Sequence, residues 1–275
     1  MKLLCCIQNF RSYLIGEEKS DATVEKYTRD ALRFVKFLSG RSITKQETME
    51  YKSYLSSNYA PSSVNSMLVA LNCFLHHIER SDCCVRLLKI QRQLYVSENK
   101  MLTTSDYRKL LKASENTSLG LIIQTICETG IRVSELKFIT ANAVLQGRAV
   151  VECKNKKRVI FLPPQLRRIL LQYIKKSGIK AGSVFITRNK RPLDRSNIWR
   201  AMKALCKKAG VSPEKVYPHN LRHLFARVFY SLERDIVKLA DVLGHSNINT
   251  TRIYTIETGR QHLCCLEKMH KRLMT

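Results

Sequence analysis

Between about Arg86 and Lys100 the chain loses its regular spacing of apolar residues, and polar side chains predominate. Clear hydrophobic periodicity lies on both sides of this stretch. A segment without an apolar face has little to bury, so it suits an exposed connection between separately folded parts. A chain of 275 residues is also long for a single core. We therefore predict two domains, residues 1–85 and 101–275, joined by a linker at 86–100.

The N-terminal part repeats apolar residues at intervals of three and four, which is the spacing of amphipathic helices. Four helices are expected, near Leu3 to Leu14, from Tyr27 to Leu38, near Lys45 to Leu55 and from Val64 to Ile78. Pro61 precedes the fourth, and Ser62 or Ser63 is suited to cap its first turn. The first domain should therefore be helical.

The C-terminal part is predicted to be mostly helical with a small β component. Two apolar segments, Ala149 to Cys153 and Arg158 to Leu162, flank the polar run Lys154-Asn155-Lys156-Lys157. Two such segments around a short polar turn indicate an antiparallel hairpin. A further short strand is expected at Val184 to Ile186. The predicted fold class is mainly α, with a helical first domain and a mixed, mostly helical second domain.

Two arginines of the second part have spacings that suit phosphate binding. His219 and Arg222 lie three residues apart in a segment with helical apolar spacing, so both should project from one helix face. Arg132 follows a helix predicted over Leu119 to Thr129, and Glu135 lies one turn further on, where its carboxylate can orient the guanidinium. Guanidinium groups stabilise the charge that develops on a phosphodiester under attack. Two guanidinium groups from separate segments therefore predict a clamp that holds the phosphate.

Tyr254 is the candidate nucleophile, nine residues after His245. A phenolate ester stores the energy of the broken bond, so that rejoining needs no ATP. Taken singly, an arginine, histidine or tyrosine of this kind is more often a surface or structural residue. Their ordered combination is what points to the cleavage and rejoining of a phosphodiester.

The neighbours of these residues are given structural roles. Thr251 and Arg252, beside the tyrosine, either contact DNA or face solvent, and we expect the second. His223 directly follows Arg222, so we expect it to lie on another helix face and to be structural.

Three segments resemble the motifs of tyrosine recombinases of the phage integrase superfamily, and the layout is close to that of the compact Xer-type enzymes. "ETGIRVSEL" resembles the first arginine box, "HNLRHLFA" the second, and "LGHSNINTTRIYT" the nucleophile box. The resemblance covers nearly the whole chain. It implies a SAM-like core-binding domain followed by a catalytic domain, and cleavage through a 3′-phosphotyrosine and a Holliday junction.

The resemblance also implies a role for each matching residue: Tyr254 as nucleophile, Arg132 and Arg222 as phosphate clamp, His219 as general base or proton manager, His245 as a donor to the scissile phosphate, and Glu135 as support. The family's catalytic lysine lies on a β-hairpin and acts as general acid. Lys154 is the candidate, with Lys156 as the alternative, because the usual glycine-containing tip is shortened here and spacing leaves the register open. No metal and no cofactor are implied.

The implied partners are double-stranded DNA with specific recombination sites and further copies of the same chain. A homo-tetramer on two DNA sites is the implied assembly, with accessory proteins as an option. After Tyr254 the chain carries Leu263, Leu266 and Met269 at intervals of three. Such a stripe predicts a short amphipathic helix. It either docks on a neighbouring subunit, as in the family, or packs on its own domain.

The charge of the chain agrees with a polyanionic partner. Lys and Arg number 48 against 22 Asp and Glu, a formal charge of +26, of which residues 101–275 carry +21 and residues 1–100 only +5. The basic run Lys156-Lys157-Arg158 is expected to be a solvated face. No apolar run approaches the ~20 residues that span a bilayer and no signal-peptide layout is evident, so a cytoplasmic protein is expected.

The ten cysteines are expected to be reduced and to act as small apolar side chains. The pairs Cys5-Cys6, Cys83-Cys84 and Cys264-Cys265 are vicinal, whereas zinc ligands are usually separated by two to four residues. The spacing therefore favours neither a zinc site nor a disulfide framework.

The predicted function is a site-specific DNA recombinase. Mobile-element integration or excision and Xer-like resolution or inversion use the same chemistry and stay open. Two alternatives stay open as well. A type IB topoisomerase shares the phosphotyrosine step but reseals the same duplex, and a catalytically silent DNA-binding protein would shift DNA without cutting it.

Overall fold

The structure is a computed structural model, which describes residues 2–90, 100–153, 156–187, 193–245, 247–254 and 259–274. Its internal packing divides the chain into two units, Met1–Arg92 and Gln93–Thr275. The division falls within the predicted linker. The linker's bounds stay a prediction, because residues 91–99 lie outside the described ranges.

The first unit consists of helices joined by short connections. They are α1 (Lys2–Gly16), α2 (Asp21–Leu38), α3 (Lys45–Asn58) and α4 (Pro61–His77), followed by a short 3₁₀ helix, Ser81–Cys83. The apolar stripes meet in one core, where Phe10, Phe34, Leu55 and Phe74 have no exposed surface. The four predicted helices are therefore confirmed, and their periodicity reflects this shared core.

The predicted cap of the fourth helix is wrong. Helix α4 begins at Pro61 itself, with Ala60 at the N-cap and no side-chain cap. Proline has no N–H to satisfy, and its fixed φ already suits the first helical turn, so a serine cap is not required.

The second unit is also mostly helical. Its helices are α5 (Thr104–Ala113), α6 (Ser118–Thr129), α7 (Ala141–Gln146), α8 (Pro164–Lys176), α9 (Arg195–Ala209), α10 (Pro218–Glu233), α11 (Ile236–Leu243), α12 (Ile248–Thr251) and α13 (Gly259–Met274). Short 3₁₀ helices cover Val133–Phe138, Pro213–Lys215 and Arg252–Tyr254. Helix α10 packs along α6 and thereby brings the two arginine motifs together. The predicted fold class, mainly α with a small antiparallel sheet, is confirmed.

Among the residues that the structure describes, the β strands form one antiparallel hairpin. Strand β1 (Arg148–Cys153) pairs with β2 (Lys156–Phe161), and Cys153 lies opposite Lys156. The predicted hairpin is confirmed, with its second strand starting two residues earlier than expected. The predicted strand at Val184 to Ile186 is wrong. Val184 and Phe185 are buried, but the segment makes isolated bridges instead of a strand, at Ile186 and at the neighbouring Ser183, which pairs with Thr140.

The C-terminal helix α13 confirms the predicted amphipathic tail. Leu263, Leu266 and Met269 are exposed, which does not fit packing of the stripe on its own domain. Within the described part of the chain, no helix has the length and apolar character needed to cross a membrane. Cysteines with described side chains are free thiols. Cys83 and Cys206 are buried, and the others are partly buried, namely Cys6, Cys73, Cys84 and Cys127.

Candidate active site

Arg132 lies directly after the tight turn that ends α6. Gly130 terminates this helix in the left-handed region at φ 64°, and a Cβ at this position would lie 2.5 Å from the Phe225 ring. Glycine tolerates both the φ and the close approach. Arg132 then precedes the 3₁₀ helix Val133–Phe138, and its backbone N–H and its side chain each donate to Glu135 at 2.9 Å. The predicted contact between arginine and carboxylate is present.

Arg158 is a second partner of Glu135 that sequence reasoning missed. Its Nη2 donates to Glu135 Oε2 at 2.6 Å, and its Nη1 donates to the carbonyl of Val242 at 2.7 Å. The side chain is only 14% exposed, so the expectation that Arg158 lies on a solvated face is wrong. The alternation of side chains along a strand could have predicted its burial, because Arg158 lies on the same strand face as the buried Ile160.

The buried carboxylate of Glu135 explains why two cations converge here. Burial raises its pKa, but the backbone hydrogen bond of Arg132 and the charge of Arg158 together leave the pKa below its ordinary value. A buried carboxylate without such partners would be costly. The ion pairs therefore join the hairpin to the segment that carries Arg132.

Arg222 is the second predicted clamp residue and is almost fully buried on α10, at 1% exposure. Its Nη1 donates to the carbonyl of Gly130, and its Nη2 donates to the carbonyl of Leu243 at 2.7 Å. The same Nη2 lies 3.2 Å from Nε2 of His245. Its Nε has no acceptor among the described residues. A buried, unpaired donor on a cation is suited to an anionic ligand.

The guanidinium of Arg222 also contacts the predicted nucleophile. Burial, followed by the charge of Arg132, lowers the pKa of Arg222 to about 10, and the electrostatic interaction with Tyr254 opposes that shift. At neutral pH the guanidinium therefore keeps its charge. Clamp and tyrosine, 32 positions apart in the sequence, are therefore close enough to interact.

Tyr254 is 3% exposed and belongs to a small core with Ala226, Leu239 and Leu243. Its ring centroid lies 5.7 Å from that of His245, in a stacked arrangement. These contacts fix the ring in one place, so the phenol oxygen has a defined position next to Arg222.

His245 links Arg222 to the tyrosine segment. Its Nδ1 lies 2.9 Å from the hydroxyl of Thr251. The expectation that Thr251 faces solvent is wrong, because this residue is fully buried, whereas Arg252 is exposed as expected. Partial burial, followed by the charges of Arg222 and Arg132, lowers the pKa of His245 to about 4. The imidazole is therefore neutral at physiological pH.

The two histidines of α10 share one face. The ring centroid of His219 lies 4.8 Å from that of His223, which in turn lies 4.5 Å edge-on from the ring of Tyr254. The prediction that His223 lies on another face is wrong, because it overlooked the four-residue spacing from His219. Burial first, and then His219, lowers the pKa of His223 to about 4. Desolvation and the charges of Arg222 and Arg132 lower the pKa of the exposed His219 as well.

The hairpin lysines cannot be placed in this site. Lys154 lies outside the described residues. Lys156 is the first residue of β2, but its side chain lies outside the described part as well. The assignment of the general acid to Lys154, with Lys156 as the alternative, stays a prediction.

Arg132, His219 and Arg222 line one cleft of about 770 Å³. Helix α9 contributes Arg195 and Trp199 to the same cleft. Positive charge in a concave surface concentrates anions there. Across the described ranges, no three His, Cys, Asp or Glu side chains are grouped so as to hold a metal ion.

Comparison with known proteins accounts for both units of the chain. Residues 100–259 match the phage integrase family, and residues 6–83 match the N-terminal SAM-like domain of phage integrases. The chain belongs to the phage integrase family of tyrosine recombinases. The cluster around Arg222 and Tyr254 lies within the first of these matches.

Curated relatives extend the match over nearly the full length. The tyrosine recombinase XerD of Xanthomonas campestris is 31% identical and covers 96% of this chain and 91% of its own length. The tyrosine recombinase XerA of Thermococcus kodakarensis is 30% identical, over 90% of this chain and 89% of the relative. Both are similar to this integrase-family chain across its two units.

Solved structures share the fold. A lambda integrase tetramer bound to a Holliday junction has a TM-score of 0.73 at 18% identity, covering 92% of this chain and 76% of that one. The Tn1549 transposon integrase in complex with transposon right-end DNA has a TM-score of 0.74 at 16% identity, covering 98% and 99%. At these identities the likeness supports the fold alone.

The depressed histidine pKa values predict an acid-sensitive recombinase. His223 and His245 are neutral in the folded protein down to about pH 4, whereas an unfolded histidine is protonated below about pH 6.5. Between these values only the unfolded state takes up the proton, so the free energy of unfolding should decrease as the pH falls from about 6.5 to 4. We expect a loss of about 1 kcal/mol per histidine between pH 7 and 5, allowing for solvent screening.

Urea unfolding at pH 7 and pH 5 measures this loss, with a His223→Gln variant as the comparison. The variant should lose less stability on acidification than the wild type. An equal loss in both proteins would contradict the lowered pKa of His223.

Proposed function

We propose that this chain is a site-specific DNA recombinase in which Tyr254 attacks the scissile phosphate, with Arg132 and Arg222 as the clamp. The phenol oxygen forms a bond to phosphorus, and the bond from phosphorus to the 5′ oxygen breaks. The products are a 3′-phosphotyrosine and a 5′-hydroxyl, which then attacks the phosphotyrosine of a partner strand and frees the tyrosine. The energy of the original bond is conserved, so no ATP is needed.

One observation carries this proposal: His245 contacts both the buried guanidinium of Arg222, at 3.2 Å, and the ring of Tyr254, on which it stacks. A phosphate bound to this arginine would lie beside the phenol oxygen. The unpaired Nε of Arg222 and the cleft shared with Arg132 support the same position for the anion. Preorganised donors of this kind stabilise the charge of the pentacoordinate transition state.

The histidines fit two different tasks. His219 borders the cleft, and its lowered pKa leaves it unprotonated at neutral pH. It can therefore accept the proton that Tyr254 loses when it attacks. His245 is the candidate donor to the phosphate. To donate through Nε2 it must carry a proton there, which the bound phosphate's negative charge would favour.

The remaining roles rest on the resemblance to the family. Lys154, or Lys156 in its place, would protonate the leaving 5′ oxygen. Glu135 would hold Arg132, and the ion pair with Arg158 supports this role. The basic catalytic half would hold double-stranded DNA at specific recombination sites, because cations offset the phosphate charge.

We further propose a homo-tetramer on two DNA sites, located in the cytoplasm. A lambda integrase of the same fold is known as a tetramer on a Holliday junction. The exposed apolar stripe of α13, formed by Leu263, Leu266 and Met269, offers a surface for docking on a neighbouring subunit.

A plasmid assay separates recombination from the two alternatives. Supercoiled plasmids would carry the DNA that flanks the protein's own gene, either as two copies or as one copy. We expect exchanged products, deletion circles or inverted segments, from the two-copy plasmid only. Relaxation of both plasmids without exchange would instead indicate topoisomerase activity, and a gel shift without any new product would indicate a silent binder.

A further inference from the structure

A chain of hydrogen bonds runs from the phosphate clamp to the segment that carries the nucleophile. Nη2 of Arg222 lies 3.2 Å from Nε2 of His245, and Nδ1 of His245 lies 2.9 Å from the hydroxyl of Thr251. Thr251 ends α12, three residues before Tyr254. The three side chains connect α10 to the tyrosine segment.

Arg222 fixes the direction of these hydrogen bonds. A guanidinium only donates hydrogen bonds, so Nε2 of His245 must accept from Arg222 and carries no proton. A neutral imidazole then has its proton on Nδ1, and this N–H donates to the hydroxyl oxygen of Thr251. Arg222 thus sets this tautomer, and the hydroxyl of Thr251 holds the other side of the ring, so that Nε2 faces the clamp.

Burial makes the contact between Thr251 and His245 hard to replace. Thr251 has no exposed surface, so its hydroxyl is not readily replaced by solvent. Without it, the Nδ1–H would lose its acceptor, and the alternative tautomer would direct an N–H at the Arg222 donor. Either outcome leaves a polar group unsatisfied beside the clamp, which costs free energy.

We propose that Thr251 is a positioning residue for DNA cleavage, whose hydroxyl holds the His245 ring with Nε2 facing Arg222 and the phosphate that this arginine would bind. The role is indirect, because Thr251 acts through the histidine. This inference rests on the proposed function, since the clamp and the nucleophile are the groups that it positions.

Three substitutions at this position separate the hydroxyl from the methyl group. Thr251→Val removes only the hydroxyl, Thr251→Ser removes only the methyl, and Thr251→Ala removes both. Cleavage would be measured on nicked duplexes under single-turnover conditions, with protein in excess. We expect the Val and Ala variants to be roughly 10- to 100-fold slower and Ser to stay within about threefold of wild type. DNA affinity in a gel shift should change little.

The order of the three rates decides the outcome. If Val is fast while Ser and Ala are slow, the methyl packing matters and the proposal is overturned. Equal rates for all three, fast or slow, overturn it as well. Thermal unfolding checks each variant, and if the Val variant fails to fold, the Ser and Ala pair still differs by the hydroxyl alone.

A double substitution tests whether the threonine acts through His245. In a His245→Ala background, Thr251→Val should cost less than about threefold, because the link is already broken. A loss as large as in the wild-type background would show that Thr251 acts by another route and would overturn the proposal. Wild-type protein that forms no adduct would instead contradict the proposed function, so the two failures are distinguishable.

Discussion

Replacement of Tyr254 with phenylalanine is expected to abolish covalent attachment to DNA, by at least about 10⁴-fold, while DNA binding is retained. The change removes only the nucleophilic oxygen. The ring stays within its small core of Ala226, Leu239 and Leu243, so the fold should be kept.

Denaturing gels of protein incubated with nicked duplex DNA measure this effect, and native gels measure binding. Tyr230→Phe is the matched control, because Tyr230 packs against the same cluster. The control should form adducts at a rate close to wild type. Adducts from the Tyr254→Phe variant would assign the chemistry to another residue.

Replacement of Arg222 should reduce the rate of cleavage by about 10² to 10³-fold, the typical loss when one preorganised donor is removed from a developing negative charge. This corresponds to about 2.7 to 4 kcal/mol of transition-state stabilisation. The buried side chain supplies a cation beside the tyrosine, and no other described side chain combines contact with Tyr254, His245 and the cleft. We expect this loss for Arg222→Ala in single-turnover cleavage.

The alanine variant also affects folding, because Arg222 donates to the carbonyls of Gly130 and Leu243. Thermal unfolding should therefore be measured beside the rate. Arg222→Lys keeps the charge but loses the planar fork, and it should fall between wild type and alanine in rate. Arg132→Lys, at the more exposed clamp position, is the matched comparison. If a folded Arg222→Ala variant cleaves DNA at the wild-type rate, Arg222 is not part of the clamp.

Much of the fold follows from local patterns that the sequence displays. The stripes of α1 to α4 repeat at helical spacing because each helix buries one face in a shared core, so their existence was predictable. The pairing of Arg132 with Glu135 and the shared face of His219 and Arg222 were predictable for the same reason, since they depend on one helical turn.

The missed features depend on tertiary packing. Arg158 reaches Glu135 and Val242 across 23 and 84 positions, and no local pattern encodes such pairs. Thr251 was expected to face solvent because polar residues near a loop usually do, yet it is buried against His245. Val184 to Ile186 has the composition of a strand, but a strand needs several consecutive paired residues, and composition does not reveal how far pairing extends.

The most direct test of the account is to identify the residue that becomes attached to DNA. Wild-type protein would be trapped on nicked duplexes from the DNA flanking its own gene, which lose the short 5′-hydroxyl strand and so block rejoining. The adduct would then be digested and its peptide identified by mass spectrometry. The account predicts a 3′-phosphotyrosine at Tyr254. A DNA adduct at another residue, such as Tyr217 or Tyr230, would contradict it.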